Sequence, residues 1–277
     1  MLVNMKRLLD KAKKGGYAVA APNVWDEYSI TIALQAAEEE NAPIILDFAE
    51  LMGDIYEFGK VAVALAKDSP IPVAINLDHG ASFEIAMKAI RAGFTSIMVD
   101  RSTLPFYENV KQVKEITRIA HILGISVEAE LGHVGSGSEY EKDRNSGLTN
   151  IEEAEEFVKE TEVDCLAVAI GTAHGVYKGT PYLDFERLEK LKKSVNVPLV
   201  LHGGSGTGDE ALQKVIQRGI CKINLYTDLS TAGCEALKTH MKENENISLF
   251  SVFDSAFDGY KQKLIHYIRL FNSNNKA

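Results

Sequence analysis

The chain has 277 residues, 45% of them hydrophobic and 25% charged, which suits one large buried core in a single domain over residues 1–277. Its formal net charge is −9, and no Lys/Arg cluster is interleaved with aromatics, so neither a nucleic-acid footprint nor a basic membrane-surface patch is expected. Cys165, Cys221 and Cys234 stand singly without metal-ligand spacing, the first two inside apolar runs where a thiol acts as a small hydrophobe. No stretch approaches the roughly 18 apolar residues of a membrane span, and the amino terminus lacks a signal-peptide core, so a cytoplasmic location is the expectation.

Short β-like runs alternate with helical segments from end to end. The strand candidates are 17–22, 44–48, 73–77, 96–100, 126–131, 165–170, 199–202 and 221–225, most of them continuous apolar runs as expected of strands covered on both faces. Between them lie amphipathic segments at 29–40, 83–92, 107–123, 151–160, 185–194 and 209–217, with further helix at 231–243 and toward the carboxyl terminus. Gly93, Gly124 and Gly219 follow such segments as helix stops, while Ser82 and Gly208-Asp209 look like capped starts. Eight β/α units in this order predict a (β/α)8 TIM barrel, with a doubly wound open sheet as the alternative that lacks its G-x-G-x-x-G support.

The connection from Gly132 to Asn150, after the fifth strand, is too long for a simple link and carries Gly135, Ser136, Gly137, Ser138 and a charged stretch. It reads as a lid over the carboxyl face of the barrel.

Three apolar runs placed far apart lead into Asp78-His79-Gly80, His174-Gly175 and His202-Gly203. One histidine at a strand end is usually just a packed side chain. Three at the same face of one barrel can share a metal ion, leaving a position open for substrate. Asp78 precedes His79, so on a regular strand the two side chains point to opposite sides unless the backbone turns there. With such a turn, Asp78 becomes a candidate general base rather than a capping or salt-bridging aspartate. Asp100 and Glu130 end the fourth and fifth strands and read as orienting partners of an imidazole, as ligands of a further metal position, or as members of structural ion pairs. The glycine-rich Gly203-Gly204-Ser205 segment and Asn224-Leu225-Tyr226-Thr227 follow the last two strands, where barrel enzymes hold phosphate on backbone N–H groups.

Taken together these motifs resemble the class II, zinc-dependent fructose-bisphosphate and tagatose-bisphosphate (ketose-bisphosphate) aldolase family. The resemblance runs from Pro22-Asn23-Val24-Trp25 through Leu77-Asp78-His79-Gly80, Val127-Glu128-Ala129-Glu130-Leu131-Gly132 and Gly171-Thr172-Ala173-His174-Gly175 to Lys222-Ile223-Asn224 and the terminal Ile268-Arg269-Leu270-Phe271. It implies that Asp78 is the base and that His79, His174 and His202 hold zinc. Asp100 and Glu130 match an alternate or second site for a divalent or monovalent cation. Asn23, Gly175, Gly203, Gly204, Ser205, Asn224, Leu225, Tyr226 and Thr227 match the substrate-binding positions, with Lys178 a weaker member.

The implied reaction is reversible cleavage of a ketose 1-phosphate or ketose 1,6-bisphosphate to dihydroxyacetone phosphate and an aldehyde. Asp78 takes the C4 hydroxyl proton and the bound ion acts as Lewis acid. A loop glutamate returns a proton in the family. Ungapped, that position falls on Ser138, so the neighbouring Glu139 is the candidate, with Glu141 in reserve. At least a homodimer is implied. A metal-dependent sugar-phosphate epimerase or isomerase and a non-catalytic barrel are the competing readings.

Three departures bear on substrate. The serine and the basic residue that hold the distant phosphate in bisphosphate-cleaving relatives are matched here by Ala49 and Ser230. Tyr226 stands where fructose-type relatives carry Asp and tagatose-type relatives carry Ala. Arg101 replaces a small or apolar residue. The expectation is therefore an aldehyde half without phosphate, with Arg101 or the lid supplying another contact, such as one to a carboxylate, against a surface or interface ion pair for Arg101.

Overall fold

The structure is a computed structural model that describes residues 1–139, 147–178 and 181–277, apart from the side chain of Glu139. Eight parallel strands close into a barrel in sequence order: β1 Val19–Pro22, β2 Ile44–Ala49, β3 Val73–Gly80, β4 Ser96–Val99, β5 Ser126–Leu131, β6 Cys165–Val168, β7 Leu199–Leu201 and β8 Ile220–Leu225. Closure comes from β8 pairing with β1 over Val19↔Lys222 to Pro22↔Leu225. The predicted TIM barrel is the observed fold, and all eight strand candidates fall on strands.

Around it run α2 Glu27–Glu39, α3 Ile55–Asp68, α4 Phe83–Arg91, α5 Phe106–Ile122, α6 Ile151–Thr161, α7 Phe185–Ser194, α8 Asp209–Gln217, α9 Thr227–Glu243 and α10 Leu249–Leu270, preceded by α1 Met5–Gly15. Ser82 caps α4 by accepting from the Ile85 N–H, as its sequence suggests. Gly208, by contrast, starts α8 without a side-chain cap, and Asp209 is already the first helical residue. Helix α9 begins four residues before the expected 231, directly after β8. This places its N–H-rich end at the barrel mouth.

The core has two parts. Between barrel and helices, Phe48, Phe58 and Phe94 form an aromatic cluster, Phe48 stacking on Phe58 with centroids 4.1 Å apart. Burying each such ring contributes about 1.5–3 kcal/mol. The second part fills the amino-terminal end of the barrel, where α1 drives Met5, Leu8, Leu9 and Ala12 against Val19, Ile45, Ala74, Met98, Ala167 and Val200. Sequence reading did not single out α1 or α3.

The alternation of side chains along a strand carries the interior upward from that plug. Two residues beyond Ile45, Ala74 and Val200 come Asp47, Asn76 and His202; Glu128 and Lys222 occupy the same level. The next step up brings Asp78, Glu130 and Asn224. A dry base, a charged middle layer and a polar mouth are thus written in one period-two pattern.

Candidate active site

The middle layer is fully buried. Lys222 Nζ donates to Glu128 Oε2 at 2.8 Å and lies 3.3 Å from Asp47 Oδ2, while Asn76 Nδ2 donates to Asp47 Oδ1 at 2.8 Å. Burial pushes Asp47 up to about 8, with Asp78 and Glu128 adding to the rise against Lys222. Glu128 moves the other way: burial opposes its charge, but Lys222 and the His202 imidazole hold it below the usual carboxylate range. The layer is therefore a buried Lys222 between two carboxylates, Glu128 drawn toward its charged form and Asp47 toward its neutral one. Sequence reading quoted Glu128 and Lys222 only as parts of matched segments and gave none of the three a role, because their partners lie far along the chain; Lys222 and Glu128 are 94 positions apart.

Above it, His202 Nε2 donates to Glu128 Oε1 at 2.7 Å. That bond turns His202 Nδ1 toward the mouth, where it meets His79 Nε2 at 3.0 Å. His174 arrives from the loop after β6 rather than from a strand end. The ligand atoms of His79, His174 and His202 all lie within 4.8 Å of one another. Four-coordinate zinc with nitrogens at about 2.0–2.1 Å separates its ligands by about 3.3 Å, so this donor set fits a zinc ion.

His79 reaches the cluster because β3 breaks its own alternation. Leu77 pairs with Ile97 but Gly80 with Val99, one residue more on β3 than on β4, and His79 has φ +51° in the left-handed region. This is the backbone turn that the Asp78-His79 pair requires. Both side chains now face the mouth, with His79 Nε2 3.8 Å from Asp78 Oδ1. His79 Nδ1 is held by Asp100 Oδ2 at 2.7 Å.

Asp78 accepts from Asn23 Nδ2 at 2.8 Å and from Asn224 Nδ2 at 3.1 Å. Burial opposes its charge, but the imidazoles of His79 and His202, Lys222 and the Asn23 amide draw it down to about 2. It is an anion held in place by two amides.

Asp100 and Glu130 form a second group with His79, their ligand atoms again within 4.8 Å. Glu130 Oε1 accepts from the Val134 N–H at 3.0 Å, while among the described residues its buried Oε2 meets no hydrogen-bond partner. Burial, with Asp100 adding, pushes Glu130 up to about 8. A buried carboxylate with a spare oxygen, grouped with a histidine and an aspartate, suits a cation.

The mouth opens into a cavity of roughly 320 Å³ lined by Asn23, Asp78, His79, His174, Gly175, Gly203, Gly204, Ser205, Asn224, Tyr226 and Thr227, together with Ala49, Leu51 and Met52. Ser205 Oγ accepts from the Asp228 N–H at 3.1 Å and joins the β7 loop to the start of α9. Tyr177 OH accepts from Ala173 N–H at 2.8 Å and donates to Gly203 O at 3.0 Å, tying the β6 loop to the same place. Gly203 sits at φ +66°, where a Cβ would stand 2.3 Å from Ala173 O.

Not every candidate lines the cavity. The Lys178 side chain is exposed, and Leu225 is buried as the last residue of β8. Glu139 ends the 3-10 turn Gly137–Glu139, and Glu141 lies outside the described residues. The described start of the connection after β5 is pinned beside His174, since Gly137 N–H donates to His174 O at 2.7 Å and His174 N–H to Gly135 O at 2.8 Å. Arg101 corrects its expectation: it is buried, lines a separate cavity with Phe83, Glu84 and Gln112, and is not among the described residues that line the mouth. Leu51 and Met52 were not foreseen; they follow Ala49 in a short 3-10 turn that carries no motif.

A closed barrel with three converging imidazoles and an amide-held aspartate at its carboxyl mouth has the architecture of a metal-assisted lyase. The family description "Fructose-bisphosphate aldolase class-II" matches residues 3–276. A "Probable fructose-bisphosphate aldolase" of Bacillus subtilis (strain 168) is 40% identical over 283 residues, covering 100% of this chain and 99% of the relative. The fructose-bisphosphate aldolase of Geobacillus stearothermophilus agrees to the same extent, 40% over 283 residues. The crystal structure of the YdjI aldolase from Escherichia coli K12 superposes with a TM-score of 0.89 at 36% identity over 100% of both chains. This chain belongs to the class II fructose-bisphosphate aldolase family. It is an aldolase, a lyase rather than an epimerase or isomerase, from a family that is generally metal-dependent.

Proposed function

We propose that this aldolase is zinc-dependent and joins dihydroxyacetone phosphate reversibly to an aldehyde that carries no phosphate, so that its ketose substrate is a 1-phosphate. The observation that carries the reading is the far wall of the cavity: Ala49, Leu51 and Met52 line it, and no Lys or Arg is among its described lining residues. Ser230, at the other position where bisphosphate-cleaving relatives find a phosphate contact, does not reach the cavity. Lacking a charge-assisted contact and a hydroxyl donor, this wall favours an uncharged group over a second phosphate by a few kcal/mol, about 1.5–3 per contact of this kind.

His79, His174 and His202 are the zinc ligands in this reading, and Asp100 and Glu130 hold a second or displaced cation. Zinc, when bound, supplies Lewis-acid stabilisation of negative charge on the ketose oxygens. Asp78 accepts the C4 hydroxyl proton as the C3–C4 bond breaks and returns it in condensation; Asn23 and Asn224 keep its carboxylate aimed. Glu139, on the lid turn, exchanges the proton at C3. Gly175, Gly203, Gly204, Ser205, Tyr226 and Thr227 receive the phosphate of dihydroxyacetone phosphate at the start of α9, where N–H groups and the helix dipole favour an anion. Among the described residues no helix is long and apolar enough to cross a membrane. We place the enzyme in the cytoplasm as a homodimer or larger homo-oligomer, to be checked by light scattering.

The relatives' names favour a second reading, cleavage of fructose 1,6-bisphosphate. One experiment separates the two: condensation of dihydroxyacetone phosphate with glyceraldehyde 3-phosphate, glyceraldehyde and a carboxylated aldehyde, using zinc-loaded protein and a chelated control. Preference for an unphosphorylated aldehyde supports the proposal. Strong preference for glyceraldehyde 3-phosphate rejects it in favour of the bisphosphate reading, and turnover that survives chelation rejects zinc.

A further inference from the structure

The bulge that swings His79 into the mouth needs something to hold it, since a left-handed residue and a slipped register are both unfavourable for an ordinary strand. Arg101 is placed to do so. Its Nη1 donates to the carbonyl of Gly80, the residue after His79, at 2.9 Å, and to the carbonyl of Asp100 at 2.6 Å. One nitrogen thus joins the end of β3 to the chain just past β4. The first point lies one residue past His79 and the second on Asp100 itself, and the side chains of those two residues are joined at 2.7 Å.

The guanidinium is anchored from outside the barrel. Arg101 Nε donates to Gln112 Oε1 at 2.8 Å, and Gln112 Nε2 donates to Glu108 Oε1 at 3.0 Å, both on α5. Only 6% of Arg101 is exposed, so these bonds form away from bulk water. The rigid planar fork of arginine can reach a strand carbonyl with one arm and a helix amide with another; a lysine ammonium on its flexible stem cannot hold the same geometry.

We propose that Arg101 is a positioning residue that staples the ends of β3 and β4 to α5 and so fixes His79 for metal binding. This rests on the assignment of His79 as a zinc ligand made above. It differs from the sequence-based expectation that Arg101 meets the aldehyde, and it gives a use to a residue that replaces a small or apolar one in the family's pattern.

The test compares wild type, Arg101→Met, Arg101→Lys and Gln112→Ala, each confirmed folded by circular dichroism. Zinc affinity is read by competition with a chromophoric chelator, and kcat and KM from condensation. In Arg101→Met, zinc binds about tenfold more weakly and kcat falls by about tenfold, at the low end of what outer partners of metal ligands contribute. KM for dihydroxyacetone phosphate stays within about twofold, because the phosphate positions lie on other loops. Arg101→Lys recovers part of the loss, and Gln112→Ala, which leaves the barrel untouched, shows a smaller loss in the same direction.

Zinc affinity and kcat equal to wild type in folded Arg101→Met overturn the proposal and leave Arg101 as packing. A changed ranking of aldehydes with zinc affinity intact overturns it in favour of substrate contact. If Arg101→Met does not fold, unchanged zinc affinity in both Arg101→Lys and Gln112→Ala overturns it equally. Wild type that binds no zinc sinks the metal assignment itself, a failure distinct from these.

Discussion

Glu128 holds His202 by a 2.7 Å bond between two side chains from which water is wholly excluded, and that single contact decides which imidazole nitrogen faces the other histidines. Glu128 in turn is fixed by Lys222, so the orientation of one imidazole depends on an ion pair deeper in the barrel. Glu128→Gln keeps an oxygen to accept from His202 but leaves Lys222 short of a counter-charge. Breaking one side of a buried pair costs about 3–5 kcal/mol. Zinc affinity should fall by about 10–100-fold along with it. Denaturant unfolding of the metal-free protein and a zinc titration read the two losses separately, and a variant with native values in both contradicts the relay.

Asp78→Asn places an amide where Asn23 and Asn224 both donate, and it removes the carboxylate proposed as proton acceptor. The condensation rate should drop by about 10²–10⁴-fold, the usual share of a general base. Binding of dihydroxyacetone phosphate, measured calorimetrically on the zinc-loaded protein, should persist. A variant with more than a tenth of wild-type kcat removes Asp78 from the role of base.

Without metal, burial opposes the charge on His79, but Asp78 and the bond to Asp100 outweigh it and raise the imidazole to about 10. His174 goes down to about 3, from burial first and then from His202 and His79. On the proposed ligand assignment, zinc binding near neutral pH should therefore displace one proton, from His79. Affinity should climb by about tenfold per pH unit until about pH 10. The same shift stabilises the metal-free fold: the contribution is complete below the free imidazole value of about 6.5 and is lost as pH rises through about 10. Calorimetry in buffers of different ionisation enthalpy counts the proton, and a count of zero refutes the assignment.

Gly203→Ala forces a Cβ to within 2.3 Å of Ala173 O at a φ of +66°. The strain, of order 1–3 kcal/mol, falls where the loops after β6 and β7 meet beside Ser205. KM for dihydroxyacetone phosphate should rise by about tenfold or more, with zinc affinity little changed. An unchanged KM would place the phosphate elsewhere.

The barrel itself was readable because short, mostly apolar runs alternate with amphipathic segments from end to end. Helix α1 was not: Met5, Leu8, Leu9 and Ala12 lie among lysines and outside the β/α repeat, and only the open barrel end shows what they cover. The histidines and Asp78 announced themselves by type and position. His79's left-handed turn did not, since nothing in Asp-His-Gly separates a bulge from a straight strand end. Nor did the Asp47–Lys222–Glu128 layer or the Arg101 staple, in which each residue gains its meaning from a neighbour on another strand or helix.

The seam between β1 and β8 also sets an order of events in time. During synthesis the edge of β1 emerges long before Ile220–Leu225 can cover it. Lys222, the only cation between Asp47 and Glu128 among the described residues, arrives with that last strand. Until then the unfinished sheet presents both a bare edge and two acids with nothing between them, which favours waiting over premature closure. The final strand acts as latch and counter-ion at once, so the nascent chain gains its first strand's protection and its interior neutrality in a single step.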